Sequence, residues 1–379
     1  MTQRSYFSPD LSSAHHQRDL DACVRMMRTG SRTFFTASRL LPPRMRSASI
    51  ALYAFCRVAD DLVDEGVSPS DSLAQLSKRL DDIYADRPQP LVEDRALSAV
   101  VHQYQLPRPL LDALLEGFTW DAQARRYETI EEVHAYAARV AGSVGAMMCW
   151  LMGVRSAHAM ARACELGLAM QLTNIARDVG DDARNDRLYL PRQWLHEAGI
   201  DADAWLQAPV CSPALESVVE RLLAEADRLY QQSTQGIAEL PRDCRSAIMA
   251  ARLIYAEIGV QLRREGMNPV QRRAVVASSR KLTLLASAWL QSAWMSPTDA
   301  ATAAAEPVDA IRYLVQHCTE ASERLQHQAA QQPTHAGIPH RSLGQRAEWM
   351  LELFERQAAL RQGRANVRSA YFPAQPGLH

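Results

Sequence analysis

Apolar residues recur along this chain at intervals of three and four, the spacing that places them on one side of a helix. Alternation with a period of two is nearly absent, and no Asn-Gly or Asp-Gly pair links β-branched runs, so strands are not expected. The pattern predicts helices over 16–29, 44–65, 70–86, 93–105, 109–124, 130–152, 157–182, 213–236 and 242–265. Another is opened by the basic run 272–281 and ends near 294. Gly30 and Gly66 stand where helix stops belong. Composition shifts after Ser296-Pro297, where two more helices are predicted, over 307–330 and 343–361, around a Gln/Pro/His/Gly loop at 331–340. The pattern divides the chain into an all-α unit, 15–296, and a helical extension, 297–379, whose end is frayed.

The stretch 167–191 carries the first chemical signal. Gly167, Gln171, Asn174, Asp178 and Asp182 step by four, three, four and four, so they form one polar line on a helix. Asp181 lies beside it, and Leu168, Met170, Leu172 and Ile175 can face a core. Carboxylates at i and i+4 repel by a few tenths of a kcal/mol. A divalent cation over them makes the pairing useful, and Mg2+ takes one or two carboxylates together with water and phosphate oxygens. A second acidic group, Asp60-Asp61-Leu62-Val63-Asp64-Glu65, ends an otherwise apolar helix, with Tyr53 and Arg57 upstream on the same line. Acids at a helix C-terminus work against the macrodipole. Two such rows facing each other across a helical cavity would hold Mg2+ ions, bind a diphosphate and make it a leaving group. Two glycines inside the predicted helix 130–152, Gly142 and Gly145, point either to close backbone packing or to a break beside a ligand.

The 42 basic residues nearly balance the 43 acidic ones, so no global charge argues for nucleic acid. Seven cysteines without a CxxC pair fit reduced, mostly buried thiols in a cytoplasmic protein. Residues 1–18 lack the apolar run of a signal peptide, and no run of about 18 apolar residues occurs anywhere. Any membrane contact is therefore expected to be peripheral.

Five blocks then resemble the squalene and phytoene synthase family, in that family's order and over roughly 20–295. They are Ser31-Arg32-Thr33-Phe34-Phe35, the run from Tyr53 to Asp64, Tyr136 with 140–145, the run from Gln171 to Asp182, and Arg187-Leu188-Tyr189-Leu190-Pro191. The last two look nearest to the phytoene-forming members. The resemblance implies an isoprenoid synthase fold, a helical bundle around a central cavity. It implies Mg2+-dependent head-to-head condensation of two geranylgeranyl diphosphates, through prephytoene diphosphate, in carotenoid biosynthesis. Mn2+ is an alternative metal, and no NADPH is expected. Asp60, Asp64, Asn174, Asp178 and Asp182 would bind the metal, with Asp61 and Asp181 helping by charge. Arg57, Arg177 and Arg273 would clamp diphosphate oxygens. Ser31, Thr33, Gln171, Tyr53, Tyr136 and Tyr189 would hydrogen-bond at the diphosphates or reacting carbons. Arg139 stands where the family often has a further tyrosine. A C30 product (dehydrosqualene, squalene or hydroxysqualene) and a non-catalytic assembly role remain the alternatives. The greasy substrate and product imply loose membrane attachment, and contact with downstream carotenoid enzymes is a further implied partnership.

Overall fold

The computed structural model describes residues 14–65, 68–295 and 306–331, without the side chains of 14, 32–34, 65 and 331. Among them the chain is helical, with no strand. In order the helices are α1 (Ala14–Gly30), α2 (Arg32–Ser38), α3 (Pro43–Glu65), α4 (Pro69–Tyr84), α5 (Val92–Tyr104), α6 (Arg108–Ala122), α7 (Ile130–Ala137) and α8 (Ser143–Leu151). There follow α9 (Ala157–Arg184), α10 (Arg192–Glu197), α11 (Ala202–Gln207), α12 (Pro213–Ile237), α13 (Arg242–Arg264), α14 (Ser278–Ala293) and α15 (Arg312–Gln331). Met1–Arg324 cluster as one compact unit and Leu325–His379 as another. The helix expected over 343–361 lies outside the described residues.

The long periodic segments fold as their spacing predicts. The differences are local. The segment after Gly30 forms α2, and the connection after Pro191 holds two short helices, α10 and α11. The second is capped by Asp201, which accepts the Ala204 N–H at 2.8 Å, and its Trp205 donates to the Val210 carbonyl at 2.9 Å. The basic run at 272–277 stays irregular, and α14 begins at Ser278. The helix predicted over 307–330 starts with a 3-10 turn, Asp309–Ile311, before α15.

The longest helix, α9, packs against α7, α8, α12 and α13. Ser156 caps its start by accepting the Ala159 N–H. Leu168, Leu172 and Ile175 are buried as the pattern requires. On the other side α1, α3, α4 and α5 pack together, joined by Arg79 of α4, which donates to Glu93 and Asp94 of α5 in a fully enclosed cluster. All seven cysteines are free, and five are buried.

The predicted helix 130–152 is broken into α7, a π-helical turn at Ala138–Gly142, and α8. A π-turn inserts one residue into the ladder and is a common feature beside functional sites. The glycines here also serve close packing. A Cβ on Gly145 would lie 2.2 Å from the Ala163 carbonyl oxygen, and one on Gly167 would lie 2.3 Å from that of Ala141. So α8 and the π-turn meet α9 backbone to backbone. Gly167, expected as part of a polar line, is a contact point between helices.

Ala is worth about 1 kcal/mol over Gly in a helix interior. At Gly167 the obstacle is rigid backbone, and overpacking of this kind costs about 1–3 kcal/mol or more. Gly167→Ala is therefore expected to lower the thermal midpoint by several degrees, measured by calorimetry. A midpoint that rises would show that α9 and the π-turn separate freely.

Candidate active site

The helices enclose a cavity of about 710 Å³ with unlike ends. Its apolar wall comes from Leu52 of α3, Leu114 and Phe118 of α6, Met148 of α8, Met170 of α9, and Ala247, Ile248 and Ala251 of α13. Its polar end is lined by Tyr53, Arg57 and Asp60 of α3, Asp121 of α6, Gln171, Asn174, Arg177 and Asp178 of α9, and Arg273. Ser31 and Tyr136 also line it. Helical spacing brings the α9 group to one face, and α3 and α9 line the same cavity, so Asp60 and Asp178 stand at one polar end.

The crowding of charge within each row and the reach of Asp121 to both are visible in the carboxyl groups. Burial, and then the neighbouring Asp64, push Asp60 up to about 6, while Arg57 pulls it down. Burial, and then Asp178, push Asp182 up to about 7, with Arg187 opposing. Asp121 acts on both residues, raising each. Arginines neutralise much of what remains. Arg57 lies 2.5 Å from Asp61 and 3.3 Å from Asp60. Arg177 and Arg273 both hold Asp178, with Nε to Oδ1 distances of 2.8 and 2.7 Å. Arg187 reaches from the loop after α9 to Asp64, its Nη2 donating to Oδ1 at 2.6 Å. Asp181 turns aside to pair with Arg184.

Tyr136 and Tyr189 stack with ring centroids 5.0 Å apart, and Tyr127 lies against both. The Tyr136 and Tyr189 hydroxyls donate to the two oxygens of Asp121 at 2.9 and 2.6 Å. Burial raises Asp121 to about 6, against the hydroxyls of Tyr189 and Tyr136, which lower it. Burial drives the Tyr136 phenol well above its ordinary range, so it stays a neutral donor. Arg139 is turned from the cavity. It pairs with Glu116 at 2.9 Å and lies over Trp120, 4.1 Å from the ring centre.

Of the residues expected from sequence, Ser31, Tyr53, Arg57, Asp60, Tyr136, Gln171, Asn174, Arg177, Asp178 and Arg273 line the one cavity. Asp64, Asp182 and Tyr189 lie beside its polar end, tied to it through Arg187 and Asp121. The Thr33 side chain lies outside the described residues. Two residues have roles that the sequence reading does not give them. Asp121 shares a helix face with Leu114 and Phe118, at intervals of four and three, and that spacing was the available signal. Arg187 opens the fifth block, but spacing assigns it no role, because its partner Asp64 is 123 positions away.

The donor set suits a hard divalent cation. The Asn174 Oδ1 is buried without a hydrogen-bond partner. A buried amide oxygen left unpaired is costly unless a ligand takes it up. Among the described residues no three acidic, His or Cys side chains close around one point. Such ions would therefore rest on one or two carboxylates each and complete their shells elsewhere, as Mg2+ does.

Residues 27–281 match the family described as squalene/phytoene synthase. The chain is 53% identical over 274 residues to a phytoene synthase of Rhodobacter capsulatus, covering 72% of this chain and 81% of that one. It is 49% identical over 309 residues to a phytoene synthase of Cereibacter sphaeroides, covering 78% and 87%. Among solved structures it resembles a dehydrosqualene synthase in complex with ligand, with a TM-score of 0.67 and 32% identity over 73% of this chain and 98% of that one. A squalene synthase from Alicyclobacillus acidocaldarius, 23% identical over 69% of this chain and all of that one, shares the fold with a TM-score of 0.63. With the five sequence blocks assembled around one cavity, the chain belongs to the squalene/phytoene synthase family.

Proposed function

We propose that this protein is a phytoene synthase, which joins two geranylgeranyl diphosphates head to head in carotenoid biosynthesis. The observation that carries the reading is the polarity of the cavity. Acidic rows and arginines crowd one end, and mostly apolar side chains line the rest. A prenyl diphosphate has the same division between head and tail. The relatives at 49% and 53% identity, both phytoene synthases, favour the C20 substrate over the C15 one.

Asp60, Asp64, Asn174, Asp178 and Asp182 are the residues assigned to hold Mg2+, with Mn2+ as the alternative. Bound there, the metal neutralises diphosphate charge and makes diphosphate a better leaving group. The rest falls to the chain itself. Arg57, Arg177 and Arg273 now hold carboxylates, and their planar forks suit diphosphate oxygens equally. Ser31, Thr33, Gln171 and Tyr53 would fix the head groups. When diphosphate departs with its electron pair, the allylic cation left behind faces the rings of Phe118 and Tyr136 and a mostly apolar wall, where cation–π attraction helps. Tyr136 and Tyr189, fixed by Asp121, present oriented hydroxyl oxygens and ring faces. Protons rather than hydride leave the carbon skeleton, so the balance requires no nicotinamide. We assign this chemistry to residues 15–296, and place the protein at a membrane periphery because a C40 hydrocarbon product must leave into lipid.

The product assay tests the reading. Geranylgeranyl diphosphate with Mg2+ and no NADPH is expected to give a C40 hydrocarbon, identified by mass. A C30 product from farnesyl diphosphate alone would overturn it. Asp60→Asn and Asp178→Asn are each expected to slow diphosphate release by about a hundredfold or more, with helical circular dichroism and thermal midpoint retained. Asp121→Asn keeps the shape but loses the charge that orients two hydroxyls. It is expected to lower kcat by roughly tenfold or more, with a smaller effect on KM; an unchanged kcat would assign Asp121 to folding alone.

A further inference from the structure

Helix α14 presents an apolar face to the outside that packing among the described residues does not use. Its inner face, through Leu284 and Ala288, is buried against α13. Its outer face carries Leu282, Ala286, Trp289, Leu290 and Ala293, spaced by four, three, one and three. Leu282 is 68% exposed, Trp289 64% and, one turn on, Trp294 86%. An apolar stripe of this kind, with two exposed tryptophans, is unusual on a protein surface and marks a contact.

The charge around it selects the contact. Between 267 and 295 the sequence holds four basic residues and no acidic one. Arg273 and Arg280 pair with Asp178 and Glu257. Arg272 and Lys281 have no carboxylate partner among the described residues. Tryptophan beside leucine and lysine is the composition of a helix lying in a lipid–water interface. A second copy of the chain would bring the same cationic face against itself across a two-fold axis.

The helix is also placed where a bilayer would be useful. It runs antiparallel to α13: Arg280 near its start meets Glu257 at 2.8 Å, and the Met295 carbonyl at its end accepts from Arg245 at 2.9 Å. The opposite side of α13, through Ala247, Ile248 and Ala251, walls the apolar end of the cavity. One helix layer separates the stripe from the hydrocarbon end of the site.

We propose that the outer face of α14 seats this protein on an anionic lipid bilayer, with Trp289 and Trp294 in the interface and Lys281 among the head groups. The proposal rests on the membrane reading above for its purpose, and on the exposed stripe and its charge for its evidence.

The test is flotation of the full chain with vesicles of phosphatidylglycerol and phosphatidylcholine in equal amounts, against phosphatidylcholine alone. The wild type is expected to float with the anionic vesicles. Trp289→Ser/Trp294→Ser is expected to partition at least about tenfold more weakly, and Lys281→Gln about fivefold more weakly on the anionic vesicles only. Turnover of detergent-dispersed geranylgeranyl diphosphate should stay unchanged in both variants, since neither touches the cavity. Equal flotation of the double variant and the wild type would overturn the proposal, and so would absence of flotation. A double variant that turns a dimer into a monomer in sedimentation, with flotation intact, would also overturn it, as would wild-type flotation appearing only after deletion of 332–379. Flotation that follows the tryptophans in a protein making no product would keep the docking face and remove the assigned reaction.

Discussion

Carboxylates that share a partly buried space repel one another by about 2–4 kcal/mol per close pair at the effective dielectric of such places. Asp60 with Asp64 and Asp178 with Asp182 are two such pairs, and Asp121 adds a fifth charge between them. Burial adds to the cost, and both effects appear as carboxyls pushed up to about 6 and 7. The protein answers with arginines on each row: Arg57, Arg177, Arg187 and Arg273. The compensation is incomplete, as the raised carboxyls show. An end of a cavity held in this condition has an unmet demand for positive charge and, in its arginines, a ready supply of donors for anionic oxygen.

Holding that arrangement falls mainly to α9 and its neighbours. Its position is set by backbone contacts at Gly145 and Gly167, which leave no room for adjustment. A third contact works alike at the acidic end, where a Cβ on Gly180 would lie 2.3 Å from the Val270 carbonyl. The loop that carries Arg273 is thereby pressed against the turn of α9 that carries Asp178 and Asp182. The Gly180 N–H donates to the Pro269 carbonyl at 3.1 Å and ties the same two segments. Small residues here set distances between charged groups several residues away.

The tyrosines serve a second purpose beside the acids. Tyr136 comes from α7, Tyr189 from the loop after α9, and Asp121 from the end of α6. One carboxylate therefore pins three separate segments and aligns two aromatic rings at the border between the polar and apolar ends. The π-turn that follows α7 carries Val140 and Ala141, which line the cavity wall.

Periodicity is a local property, so the helical class and the two acidic lines were legible from residue spacing alone. Asp60 and Asp64, or Asn174, Asp178 and Asp182, share a face whatever surrounds the helix. The order of the five blocks carried the resemblance for the same reason. What the spacing could not supply was every relation between distant segments. That the two rows share one end of a cavity, with Asp121 acting on both, depends on how the helices pack. Arg187 meets Asp64 only through that packing, and Asp121 joins the site only because α6 turns Leu114 and Phe118 inward. The same limit applies to α14, which carries apolar residues on more than one face in sequence. Only its packing on α13 decided that Leu284 and Ala288 are covered while Trp289 and Trp294 face outward. A helix's own pitch determines which residues stand together, and the burial of neighbouring helices determines what they face.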